Sequence, residues 1–289
     1  MEIGIGLPAT IPGATGEQIV EWARIAEASG FSSLGIIDRL VYDNYEPLVT
    51  LGAAAAVTSR IRLATSILVA PMRGNAALLA KQAASVNRLA GGRLTLGMAV
   101  GGYEDDYEAS GVPFAGRGRR FDDLVDEMTR IWAGEPRGFA GAIGPSPGLD
   151  RTQLVFGGMS RATYRRVATV GGGWIAGSRG VETFREGAAH VRYAWAEHDR
   201  SGSPRLMALP YFCLGPQAEA SATAFLTDHY AIEGDAATRM ATTALTDAGS
   251  IQRAVSGYEA AGCDELILYP CSPDPQQVSL LADVVRTTR

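Results

Sequence analysis

Three short stretches of this chain carry side chains that could do chemistry together. Asp38-Arg39 closes an apolar run, so an acid stands beside a base at the end of an expected strand. There the two could steer protons or hold a polar ring edge, or they could lock the following loop as an ion pair. Gly157-Gly158-Met159-Ser160 leads directly into a helical pattern. Glycines let a backbone approach a ligand, and free N–H groups at a helix start attract phosphate. Ser160 and Arg161 would add a hydroxyl donor and a positive charge, and Ser160 also fits an ordinary N-cap. The third stretch, Gly101-Gly-Tyr-Glu-Asp-Asp-Tyr107, sets aromatic rings beside carboxylates. Glu104, Asp105 and Asp106 could suggest a metal site or a glycosidase pair, but consecutive carboxylates more often form a solvated helix start. Arg117, Arg119 and Arg120 are expected to pair with them, or with Asp122 and Asp123, and to close the loop over the site.

What is missing narrows the class. There is no nucleophile elbow, P-loop or metal triad, so hydrolysis and phosphoryl transfer have little support. His190, His198 and His229 lack metal-ligand spacing, and Cys213, Cys263 and Cys271 are unclustered, as expected in a reducing cytoplasm. The 289 residues, 46% hydrophobic and 20% charged, can bury a sizeable core, and a formal charge of −5 speaks against a nucleic-acid partner. No run approaches the roughly 18 apolar residues of a membrane helix, so no membrane partner is expected. Met1-Glu2 leads straight into a strand pattern, unlike a signal peptide.

These groups must be positioned by short apolar runs that alternate with longer amphipathic ones. Strands are expected over 3–7, 33–37, 61–69, 94–100, 153–156, 174–176, 205–214 and 265–269. Helices are expected over 15–29, 46–58, 76–89, 119–133, 160–170, 181–198, 217–229, 236–242, 247–261 and 274–287, with a Gly/Pro-rich loop over 134–150. Eight strand–helix pairs give an α/β fold, a single (β/α)8 TIM barrel over 1–289 with insertion loops at its C-terminal face. A doubly wound sheet would more often show glycines after its first strand, whereas Gly4 and Gly6 lie inside it. In a barrel the strand ends form the active site, which selects Leu7-Pro8, Asp38-Arg39, Ser66-Ile67, Gly101 to Tyr103, Gly157-Gly158, Gly177 to Arg179 and Tyr269-Pro270.

The segments Asp38-Arg-Leu-Val-Tyr-Asp-Asn-Tyr-Glu-Pro47 and Arg60-Ile-Arg-Leu-Ala-Thr-Ser66 resemble the luciferase-like flavin-dependent oxidoreductases. The resemblance continues at Leu79-Ala-Lys-Gln82, Gly91-Gly-Arg-Leu-Thr-Leu-Gly97, Arg117-Gly-Arg-Arg-Phe-Asp122, Phe156-Gly-Gly-Met-Ser160 and Gly172-Gly-Trp-Ile175, and more loosely at Gly262 to Ile267. It implies a barrel holding FMN or, in a sister branch, the 5-deazaflavin coenzyme. It places the isoalloxazine wall on Thr65, Ser66 and Ile67, with a non-prolyl cis peptide between Ser66 and Ile67. The phosphate loop falls on Gly157, Gly158, Met159 and Ser160, and Gly101, Gly102 and Tyr103 stand beside the cofactor.

Two departures from the family pattern matter. Where many members carry a proton-handling His, this chain has Asp38 and Arg39. Asp38 is expected to accept a proton or orient Arg39, and Arg39 to stabilise an anionic cofactor. Where long members place a phosphate-binding arginine stands Val100, so Arg161 or another residue compensates, or the cofactor differs. Tyr42, Tyr45 and Tyr107 are expected to line a partly aromatic substrate pocket. With no nicotinamide site visible, a separate flavin reductase is the expected partner of a homo-oligomeric monooxygenase that uses reduced FMN and oxygen on a small organic substrate. The alternatives are a deazaflavin-dependent hydride-transferring reductase or dehydrogenase, and a non-catalytic flavin-binding barrel.

Overall fold

The computed structural model describes residues 1–146 and 148–287. Along the chain run β1 (Glu2–Gly6), α1 (Gly16–Ala28), β2 (Ser33–Ile36), α2 (Pro47–Val57), β3 (Arg62–Val69), α3 (Ala76–Leu89) and β4 (Leu94–Ala99). Next come α4 (Glu104–Ser110), α5 (Arg117–Trp132), β5 (Leu154–Gly157), α6 (Arg161–Thr169), β6 (Gly173–Ala176) and α7 (Gly180–Glu197). The last third holds β7 (Arg205–Ala208), β8 (Tyr211–Phe212), α8 (Ala218–His229), α9 (Asp235–Ala241), α10 (Ala248–Ala260), β9 (Glu265–Pro270) and α11 (Gln276–Arg286). Strands β1 to β7 and β9 pair in parallel, and the β1–β9 pairing closes the eight into a barrel. The expected TIM barrel is therefore the observed one, with β8 as an extra short strand on β9.

Alternation along the strands sorts the side chains. Leu34, Leu63, Leu96, Phe156, Trp174 and Leu206 belong to the large core between strands and helices. Ala64, Val155, Ile175, Met207, Ile267 and Tyr269 gather in a second cluster. Gly6 and Gly35 are small because Tyr269 is large. A Cβ on Gly6 would stand 2.4 Å from the Tyr269 ring, and one on Gly35 2.4 Å from its hydroxyl oxygen. This explains glycines inside the first two strands without any nucleotide fingerprint.

Two expected elements change. The strand expected over 205–214 breaks after Ala208. Pro210 has no N–H for the ladder, and the chain rejoins β9 only at Tyr211. The stretch between β4 and α5 is not all loop, because α4 forms within it and Gly111 ends that helix at a φ of +71°.

Candidate active site

The C-terminal ends of the strands open into a cleft of about 820 Å³. Ile67 and Ile175 line it, joined by Leu209 beyond β7. The β3–β4 register slips between Thr65 and Leu68, and the Ser66–Ile67 peptide is cis, as the resemblance implied. Thr65 and Ser66 are buried beneath this surface. The Thr65 hydroxyl donates to the Gly97 carbonyl at 2.7 Å, and that of Ser66 shares a hydrogen bond with the Tyr269 hydroxyl. Ile67 is thus the member of this trio that faces the cleft.

The loop after β5 contributes Gly157, Gly158 and Met159 to the cleft. Gly158 has a φ of +119°, and a Cβ there would meet the Thr163 hydroxyl oxygen at 2.9 Å. Ser160 takes the N-cap position expected of it. It caps α6 by accepting from the Thr163 N–H at 3.2 Å. Arg161 lines an outer groove with Tyr164, His190 and Tyr193, not the cleft. On the neighbouring strand end, Gly177, Ser178 and Arg179 do line the cleft, and Arg179 is exposed there.

Gly102, Tyr103 and Glu104 form one lip, Tyr230, Ile232 and Glu233 another, and the Tyr103 hydroxyl donates to Glu233 at 2.7 Å. The face of the Tyr103 ring lies 4.1 Å from the Arg39 guanidinium. Gly101, at a φ of +70°, turns the chain before this lip, where a Cβ would strike Val69. Burial, with help from the Glu233 bond, raises the Tyr103 phenol well above its ordinary value. Tyr230 is pushed up to about 12, chiefly by burial, and shares a 2.8 Å hydrogen bond with Tyr211.

Asp38 and Arg39 are both buried, and neither lines the cleft nor orients the other. Asp38 accepts from the Val69 N–H at 2.8 Å and from Arg73 at 2.9 Å, and Arg73 also binds Glu46, the N-cap of α2. Burial raises the Asp38 pKa against the opposing pull of Arg73. Arg39 turns the other way, to Asp106 at 2.9 Å and Asp105 at 3.1 Å. Those carboxylates therefore serve Arg39 and not the expected Arg117 to Arg120 cluster. Arg117 lies over Phe114 and donates to the Gly101 carbonyl, while Asp122 pairs with Arg166 and Arg165.

The three tyrosines expected to meet substrate also fall outside the cleft. Tyr107 is fully buried against Val69, Met72 and Phe114, with its hydroxyl on the Val100 carbonyl. Tyr42 donates to Asp228, and Tyr45 to the Ala14 carbonyl. Each hydroxyl already has a protein partner, and the rings at the cleft are Tyr103 and Tyr230. His229 packs edge-on against Tyr42 and Tyr230, and burial, with Arg39 nearby, pushes its pKa down to about 4. Sequence reading missed the lip at Tyr230 to Met240 because the stretch following β8 carries no motif. Its one signal is an aromatic residue just past a helix end.

Family comparison fits this arrangement. The family model described as luciferase-like monooxygenase matches residues 1–286. The chain belongs to the luciferase-like monooxygenase family. This luciferase-like chain is 33% identical over 184 residues to an uncharacterised protein of Mycobacterium tuberculosis, across 54% of this chain and 63% of that one. It thus spans less than two thirds of that relative's length. It is 34% identical over 141 residues to an F420-dependent glucose-6-phosphate dehydrogenase of Beutenbergia cavernae, covering 45% of this chain and 41% of the other. It is 26% identical over 224 residues to an FMNH(2)-dependent dimethylsulfone monooxygenase of Pseudomonas putida, covering 71% and 60%. Among solved structures, an F420-dependent secondary alcohol dehydrogenase superposes with a TM-score of 0.82 at 17% identity, covering 100% and 99% of the two chains.

Proposed function

We propose that this luciferase-like protein is an oxidoreductase that holds a flavin-type cofactor in the mouth cleft and uses it on a small organic substrate. The observation that carries this reading is the cleft itself. Gly102, Gly158 and Gly177 keep its walls bare, and a Cβ on Gly102 or Gly177 would meet nothing within 4 Å. Ile67, Ile175 and Leu209 offer an apolar bed for a ring, and the Gly157 to Ser160 loop offers backbone N–H groups for a phosphate. Such a cofactor supplies two-electron chemistry when bound. The chain binds and orients it, excludes water along the apolar bed, and presents the neutral Tyr103 phenol at the lip.

The first reading is a monooxygenase that takes reduced FMN from a separate flavin reductase and uses oxygen, supported by the family description and by the Pseudomonas relative. A second reading, hydride transfer with the 5-deazaflavin coenzyme, is supported by the Beutenbergia relative. Oxygen uptake separates them. Given reduced FMN, oxygen and substrate, a monooxygenase consumes oxygen in proportion to product, whereas a deazaflavin enzyme changes the absorbance of its coenzyme with no oxygen uptake. A protein that binds either cofactor and turns over nothing would be the non-catalytic barrel.

A further inference from the structure

Arg179 is the single cation among the described residues that line the cleft. It follows the end of β6, is exposed, and its guanidinium bonds no carboxylate among the described residues. The other charged groups at the rim, Glu104 and Glu233, are acids on the lips. The family's arginine position is a valine here, and the compensating candidate Arg161 stands elsewhere. Val100 packs against the core, and Arg161 lines the outer groove. Ser160 caps α6 and is not among the residues that line the cleft. Helix α7, by contrast, begins at Arg179 without a side-chain cap, and Gly177 beside it leaves open space.

We propose that Arg179 is the anion anchor of this cleft and binds the phosphate ester on the ribityl tail of the cofactor. This rests on the flavin-type reading above. A guanidinium keeps its charge at any working pH and presents forked donors that match phosphate oxygens. FMN and the deazaflavin coenzyme both carry such an ester, so the chemistry is shared and the ligands tell the sources apart.

The test is an equilibrium titration of the intact protein with four ligands: FMN, riboflavin, the deazaflavin coenzyme, and its phosphate-free ring–ribityl fragment. Wild type should bind one phosphorylated cofactor more tightly than its phosphate-free counterpart, with a preference that shrinks at high salt. Arg179→Gln should weaken the phosphorylated ligand roughly tenfold to a hundredfold, the span expected for hydrogen bonds to a charged group. It should leave the phosphate-free affinity and the melting temperature unchanged, and Arg179→Lys should recover part of the loss. Phosphorylated binding unchanged in Arg179→Gln, or an equal loss for both ligands, overturns the anchor alone. Wild type that binds none of the four overturns the flavin-type reading as well.

Discussion

Asp38 and Arg39 are sequence neighbours just past the end of β2 that face different partners. Asp38 ties the end of β2 to Val69 and Arg73, and Arg39 backs the Tyr103 ring from below α4. Asp38→Asn is therefore expected to lower stability by about 1–3 kcal/mol, the range for weakening a buried hydrogen-bonded group, while cofactor affinity holds. Chemical denaturation together with ligand titration checks this. Intact stability with lost turnover would return Asp38 to the chemistry. The sequence showed that both residues end a strand, but not their partners, which lie at Arg73, Asp105 and Asp106. A single chain without aligned relatives offers no local pattern for such long-range pairs. Tyr107 misled for the same reason: nothing nearby in sequence shows that Val69, Met72 and Phe114 cover it.

At the scale of elements, the glycines were visible early and became intelligible only in three dimensions. Gly35 faces Tyr269 and Ile267 of β9, a contact set by barrel closure. Gly35→Ala should cost about 1–3 kcal/mol through overpacking. Adding Tyr269→Phe should recover part of that loss, since the hydroxyl is the nearest atom to the new Cβ. A double-mutant cycle by urea denaturation reads the coupling, and strictly additive losses would count against this packing. The strand and helix pattern was legible because periodicity of two and 3.6 is local. The break before β8 was also written locally, in Pro210, but the long apolar run around it outweighed that signal.

Across the whole molecule, the floor of the barrel is fastened by a buried carboxylate. Glu265 of β9 binds Arg62 of β3 at 3.0 Å and Arg205 of β7 at 2.6 Å, and accepts from Ser32 and Ser33. Burial alone would raise its pKa, but Arg205 and Arg62 with the two hydroxyls hold it below the ordinary value. A depressed folded pKa gives stability that is fully present above the unfolded value of about 4.3 and is lost as pH falls through the folded one. Glu265→Gln should lower stability at neutral pH by about 1–3 kcal/mol, because it weakens the charged hydrogen bonds of two partly exposed arginines, both of which keep Glu2 as a partner. The variant should also lose less than wild type on acidification below about pH 4.3, as read by melting temperature against pH. The central claim concerns the opposite face, and one comparison tests it most directly. Gly177 has ordinary backbone geometry and open space before it, so Gly177→Val should fold as wild type does while its side chain fills the cleft. Titrated with FMN and with the deazaflavin coenzyme, wild type should bind one of them and Gly177→Val neither, at matched melting temperatures. Equal binding by the two proteins, or no binding by wild type, would contradict the account.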